Sequence, residues 1–179
     1  MATIEKFWEE NDSLTLEAFV ARYQDPFLVI SEVNDSKRTQ GSRFYTTDQG
    51  TLTEPLPKMQ SPFNMEERFI FPLQKAESGA FSFISVGRVA NNDIVLTGGG
   101  VSKMHAVFQK AGSGYTLMDS GSRNGTFING IKLEAQKPAL LRDRDLISFS
   151  SQVSARFFLS RTLYIWFKGQ PASSPRAGG

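Results

Sequence analysis

The chain has 179 residues, with 20 Lys and Arg against 18 Asp and Glu and a formal net charge of +2. That near balance excludes wholesale attraction to nucleic acid or membrane and leaves room only for a local basic site. With no cysteine and a single histidine, disulfides, thiolate metal centres and His-cluster zinc sites are excluded as well.

No apolar run approaches the length of a membrane span, and "MATIEKFWEEN" has no signal-peptide core, so the chain reads as soluble and cytoplasmic. The pattern divides it into three regions. In residues 1–60, Ile4, Phe7 and Trp8 suggest a short helix. "TLEAFVARY" places Leu16, Phe19, Val20 and Tyr23 on one helical face, with Thr15 as N-cap and Asp25-Pro26 as the stop. "PFLVI" and "RFYTT" look like short strands. "GTLTEPLPKMQSP" has three prolines and no periodicity, so it reads as a linker.

From residue 61 to 168 strand signals recur roughly every 8–12 residues, which defines an all-β sandwich or barrel. They are "RFIFPL", "FSFISV", "DIVL", "HAVFQK", "YTLMD", "TFI", "IKLEA", "LISFS" and "ARFFLSRTLYIWF". The last run is long enough to pair with more than one neighbour, or to break at Ser160-Arg161. Asn129-Gly130 sits between two of these segments as a tight turn in which any pair able to take φ > 0 would serve. Residues 169–179, rich in Gly, Pro and Ser, read as a disordered tail.

Three loops lie between predicted strands: "GRVANND" (87–93), "GGGVSKMH" (98–105) and "DSGSRNGT" (119–126). A sandwich gathers alternate loops at one end, so these can converge on a patch holding Arg88, Ser102, Lys103, Arg123 and Asn124. Cations, a hydroxyl and an amide among glycines that expose backbone N–H groups make an anion site. Gly98-Gly99-Gly100 does not open a P-loop, because "SKMHAVFQK" leads into a strand rather than a helix. Ser102 and His105 do not make a nucleophile and base, and no second His could complete a triad. Glu9-Glu10, Glu66-Glu67 and Asp143/Asp145 read as solvated faces and turns, and Trp8 and Trp166 as packing residues.

Gly87-Arg88, "NNDIVL", Ser102-x-x-His105 and "DSGSRNGTFING", in this order, resemble the forkhead-associated (FHA) domain over roughly residues 80–150. The resemblance implies a β-sandwich of about eleven strands that binds phosphothreonine peptides through loops at one end, with residues 1–60 as a small α/β extension. It implies that Arg88 contacts the phosphate, that Ser102 hydrogen-bonds a phosphate oxygen and that Asn124 grips the peptide main chain. Lys103 lies where the family often has a second contact, and Arg123 at the rim where peptide choice is influenced; for both, a solvated loop position is the alternative. Gly87, His105 and Gly125 are implied to be architectural. Arg144 stands where the family usually has Gly, which puts the distal hairpin's shape in doubt.

The resulting expectation is a phosphothreonine-dependent adaptor in Ser/Thr kinase signalling, not an enzyme, with no cofactor, no metal and no nucleic-acid partner. The partner would be a phosphothreonine protein, either a Ser/Thr kinase or its substrate. Self-binding through a phosphorylated Thr46, Thr47, Thr51 or Thr53 is a further expectation. The alternative is a phosphorylation-independent scaffold that uses the sandwich face or the N-terminal helix.

Overall fold

The structure, a computed structural model, describes residues 2–32, 68–74 and 82–169. The expected strand "RFYTT", the linker at 50–62, the Glu66-Glu67 pair, the four threonines and residues 170–179 lie outside the described residues. Among the described residues two sheets pack face to face, as expected for an all-β sandwich. The larger sheet runs in the order β1 (Ala2–Thr3), β3 (Arg68–Pro72), β2 (Phe27–Glu32), β12 (Val153–Phe158), β11 (Leu146–Ser148), β8 (Phe127–Ile128), β9 (Ile131–Lys132). The smaller runs β10 (Ala139–Leu140), β7 (Gly114–Asp119), β6 (Ala106–Ala111), β4 (Phe83–Gly87), β5 (Ile94–Val95).

Period-two alternation builds the core between the sheets. Leu28, Ile30, Ile147, Val153 and Phe157 from the larger sheet meet Ile84, Val86, Phe108 and Leu117 from the smaller. A second apolar cluster covers the outer face of the larger sheet, beneath α1 (Ile4–Glu9), α2 (Leu16–Arg22) and α3 (Ser160–Lys168). It contains Phe27, Val29, Ile70 and Phe158 from the sheet and Ile4, Phe7, Trp8, Phe19 and Leu163 from the helices. β2 is therefore buried on both faces, which is why "PFLVI" is a continuous apolar run and not an alternating one.

The expected N-terminal helices form, and both are capped: Thr3 Oγ1 accepts from Lys6 N and Thr15 Oγ1 from Ala18 N. The sheet, however, crosses the expected boundary between residues 60 and 61. β2 pairs with β12 along its whole length, from Phe27↔Phe158 to Glu32↔Val153, and with β3 on its other edge. Asp25 strengthens that junction, since its carboxylate accepts from Tyr115 Oη at 2.9 Å and its carbonyl from Ser160 Oγ at 2.9 Å. β2 is thus an inner strand of the larger sheet rather than part of an appended extension.

The run "ARFFLSRTLYIWF" breaks at Ser160, as one of its two expected outcomes, but the part beyond the break is a helix. Thr, Tyr, Ile, Trp and Phe favour strands. Here packing overrides propensity, because a helix turns Leu163, Tyr164 and Phe167 onto the second cluster. Phe167 stacks on Trp8 with centroids 3.9 Å apart, and Tyr164 Oη donates to Leu14 O.

At the distal end, Asn129 and Gly130 have φ of 51° and 82°, as a two-residue primed turn requires. Asn129 does more than turn the chain, so an arbitrary pair of the same conformation would not replace it. Its Nδ2 donates to Asp145 Oδ1 at 2.7 Å and its Oδ1 accepts from Leu146 N at 2.9 Å. Asp145, which also accepts from Arg142 N, is buried rather than a solvated turn residue.

Arg144 adopts φ 68°, the left-handed conformation that glycine takes without strain. Its N–H donates to Phe157 O, and its carbonyl accepts from Arg156 Nη1. Left-handed backbone costs a non-glycine residue about 1–2 kcal/mol, partly offset by glycine's larger unfolded entropy. Arg144→Gly is therefore expected to stabilise the fold by about 0.5–1 kcal/mol, read as a higher urea midpoint at unchanged slope.

Candidate functional site

The three loops expected to converge do so, and backbone groups hold them together. Arg88 N donates to Ser102 O at 3.0 Å, joining the first loop to the second. Arg123 N donates to Ser102 Oγ at 3.0 Å, and Asn124 Nδ2 donates to Gly100 O at 2.8 Å, joining the third loop to the second. Asn92, to which the sequence assigns no role, adds a clamp: its Nδ2 donates to Val89 O and to Lys103 O, both at 2.8 Å. The approach is close enough that a Cβ on Gly87 would lie 2.2 Å from Lys103 O, so only glycine fits there.

The third loop is organised from below by Asp119. Inward positions of β7 are Tyr115, Leu117 and then Asp119, which is 2% exposed. One carboxylate oxygen accepts from Gly121 N and Ser122 N, both at 2.9 Å, and the other from Ser122 Oγ and Thr126 Oγ1, both at 2.6 Å. Burial alone would push this carboxyl up, but the hydrogen bonds from Ser122, Thr126 and Gly121 together hold it below its ordinary value. Ser122 Oγ in turn accepts from Gly125 N, and Gly125 takes φ +83°. Asp119 is absent from the site residues expected from the sequence, although an acid at an inward position ahead of Ser-Gly-Ser is the signature of a carboxylate-capped loop.

His105 is fully buried between the second and third loops. Its Nδ1 accepts from Ser102 N at 3.0 Å and its Nε2 faces Gly125 O at 3.3 Å, which fixes the neutral ring with the proton on Nε2. The ring also stands edge-on to Phe149. Both nitrogens are engaged with backbone, and the Ser102 hydroxyl receives the Arg123 N–H, so Ser102 and His105 are not arranged as nucleophile and base.

Arg88, Lys103, Arg123 and Asn124 are exposed on this end of the sandwich, and Ser102 is half-buried. Ser102 Oγ accepts one bond and keeps its proton for an outside acceptor. Asn124 uses one amide proton on Gly100 and keeps a donor and an acceptor, the pair needed to match a peptide unit. The arrangement offers charge and oriented donors to an anion.

Residues 84–150 match the family model of the FHA domain. This stretch of the chain belongs to the FHA domain family. The chain is 33% identical over 125 residues to the transcriptional regulatory protein EmbR of Mycobacterium bovis, a match covering 67% of this chain and 30% of that protein. It is 35% identical over 68 residues to an ABC transporter ATP-binding/permease protein of Mycobacterium tuberculosis, covering 38% of this chain and 8% of the transporter. The chain thus spans under a third of the length of these relatives. Among solved structures, the N-terminal FHA domain of S. cerevisiae Rad53p in complex with a phosphothreonine peptide is 26% identical, with a TM-score of 0.44, covering 50% of this chain and 83% of that domain.

Burial lowers the pKa of His105 from its ordinary 6.5, outweighing the opposing pull of the Gly125 carbonyl and the Asp119 charge. The unfolded chain then binds a proton at a higher pH than the folded one, so stability rises with pH through this window. The contribution is fully present above pH 6.5 and is lost as pH falls through the folded value. Urea denaturation at descending pH is expected to show that decline, and His105→Gln to remove that part of the slope. A decline of equal slope in the variant would assign it to another group.

Proposed function

We propose that this chain is a phosphothreonine-dependent peptide-binding adaptor that acts downstream of a Ser/Thr kinase in the cytoplasm, binding and not catalysing. The observation that carries the reading is the stitched loop surface that presents Arg88, the Ser102 hydroxyl and the free half of the Asn124 amide together. In this reading the guanidinium of Arg88 takes the phosphate in a fork, Ser102 donates to a phosphate oxygen, and Lys103 and Arg123 supply further charge. Asn124 aligns the peptide main chain. Gly87, His105 and Gly125 hold the loops for those contacts. The module extends from β1 to α3, because the inner strand β2 and the helical layer belong to the same packed body. The 33% identity to a transcriptional regulatory protein over most of this chain supports a regulatory setting.

A second reading concerns the segment between β2 and β3. Glu32 pairs with Val153 and Ser31 with Arg68, so both strand ends that bound residues 33–67 stand at the loop end. Val153 also packs close to Gly98 of the second loop. We infer that a phosphate on Thr46, Thr47, Thr51 or Thr53 would compete for the site at high effective concentration.

Charge-assisted hydrogen bonds contribute about 1.5–3 kcal/mol. Arg88→Ala is expected to weaken binding of a phosphothreonine peptide by about 10- to 100-fold, read by fluorescence anisotropy; affinity equal to the parent's would sink the reading. Asn124→Ala is expected to weaken binding with a fall in melting temperature no larger than the loss of its one bond to Gly100 O accounts for, and Asn129→Ala to lower the melting temperature while keeping affinity. Treatment with a Ser/Thr kinase should reduce affinity for added peptide, and unchanged affinity after stoichiometric phosphorylation of those threonines would remove the competing segment from consideration.

A further inference from the structure

Lys132 ends β9 and lies outside the anion-binding set expected from the sequence. The pairing of Phe127 with Lys132, continued by Leu133 N donating to Thr126 O at 2.8 Å, returns it beside the third loop. Its side chain lies across Gly125. A Cβ at position 125 would stand 2.4 Å from Lys132 Cε and 3.2 Å from its Nζ. Gly125 therefore answers two demands at once, a left-handed turn and room for this ammonium over the backbone next to Asn124.

The charge balance of the loop end says what such a cation can do. Arg88, Lys103, Arg123 and Lys132 are all exposed, and none is paired with a carboxylate among the described residues. The nearby acids are committed: Asp119 is buried under four donors, and Asp93 receives Ser85 N and Ser85 Oγ at 2.8 Å each. A phosphothreonine brings about −1.5 to −2 charges, which two cations balance. The surplus is positive, and part of it sits on Lys132, beside the Asn124–Gly125 step rather than at the Arg88–Ser102 junction. An ammonium on a flexible stem suits a carboxylate whose position is not rigidly fixed.

We propose that Lys132 contacts the bound peptide and selects ligands carrying an acidic residue next to the phosphothreonine. This rests on the phosphothreonine reading of the loops. The test uses the full chain and labelled phosphothreonine peptides on an alanine background, with Asp placed at each flanking position in turn. Asp in at least one position should tighten binding about threefold at low salt, and added salt should shrink the gain. Lys132→Ala should abolish the gain while leaving the all-alanine phosphopeptide bound within about twofold, and Lys132→Glu should turn it into a preference for Lys.

A gain from Asp that survives Lys132→Ala unchanged overturns the proposal. So does phosphate- and Arg88-dependent binding without any gain from Asp, an outcome that leaves the loop reading standing. If no phosphothreonine peptide binds, both fail together. Unchanged thermal melting of the two Lys132 variants confirms that the comparison is made between folded proteins.

Discussion

A carboxylate withdrawn from water must receive hydrogen bonds in place of hydration, and the loop end of this protein is built on that requirement at Asp119. Four donors from residues 121, 122 and 126 converge on its two oxygens. Leaving a buried charge without them would cost several kcal/mol, so the chain from Ser120 to Thr126 has little freedom to take another course. Once that loop is fixed, Arg123 N meets Ser102, and Asn124 reaches Gly100. His105 then fills the space beneath, accepting from one loop and facing a carbonyl of the other. The exposed side chains of the three loops are displayed on a backbone that is already satisfied, which is the condition for binding with little further ordering.

The frame beneath the loops depends in turn on β2. As the shared wall of two apolar clusters, it couples the helical layer to the sandwich, and its neighbour β12 carries Val153 against Gly98 of the second loop. Gln152 and Ser150, in the turn before β12, stand close to Gly99 and Gly100. The glycines at 98–100 are therefore explained by contact with this turn and by the positive φ of Gly100, not by a phosphate cradle of their own.

Much of this was legible in the sequence. Alternation of apolar and polar residues marks β4, β7 and β12, and the helix at 16–22 is visible in its cap and spacing. The convergence of the three loops could be read because the order of their residues along the chain is distinctive. The features that escaped did so for physical causes. A strand buried on both faces, such as β2, carries no alternation to show which layer it joins. The helix at 160–168 has strand-like composition, and only the aromatic surface supplied by Trp8 and Phe19 from the other end of the chain favours its coil. Lys132 gave no signal, because nothing in a hairpin strand announces that its side chain will cross a glycine of the third loop. Asn92 and Asp119 looked like ordinary loop polars, since their worth lies in which backbone groups they meet.

The strand order also sets a schedule for folding. β2 is made well before its long partner β12, and the pairing Phe27↔Phe158 joins residues more than a hundred positions apart. The smaller sheet draws on β4, β6 and β7, which are near neighbours in the chain. Contacts between distant residues form slowly because the intervening loop must first be closed. During synthesis the three loops therefore emerge on a half-built scaffold, and the larger sheet can close only when β12 has been released. The apolar run around β2 waits without its β12 partner through that interval, which makes this segment the one most dependent on prompt synthesis of β12.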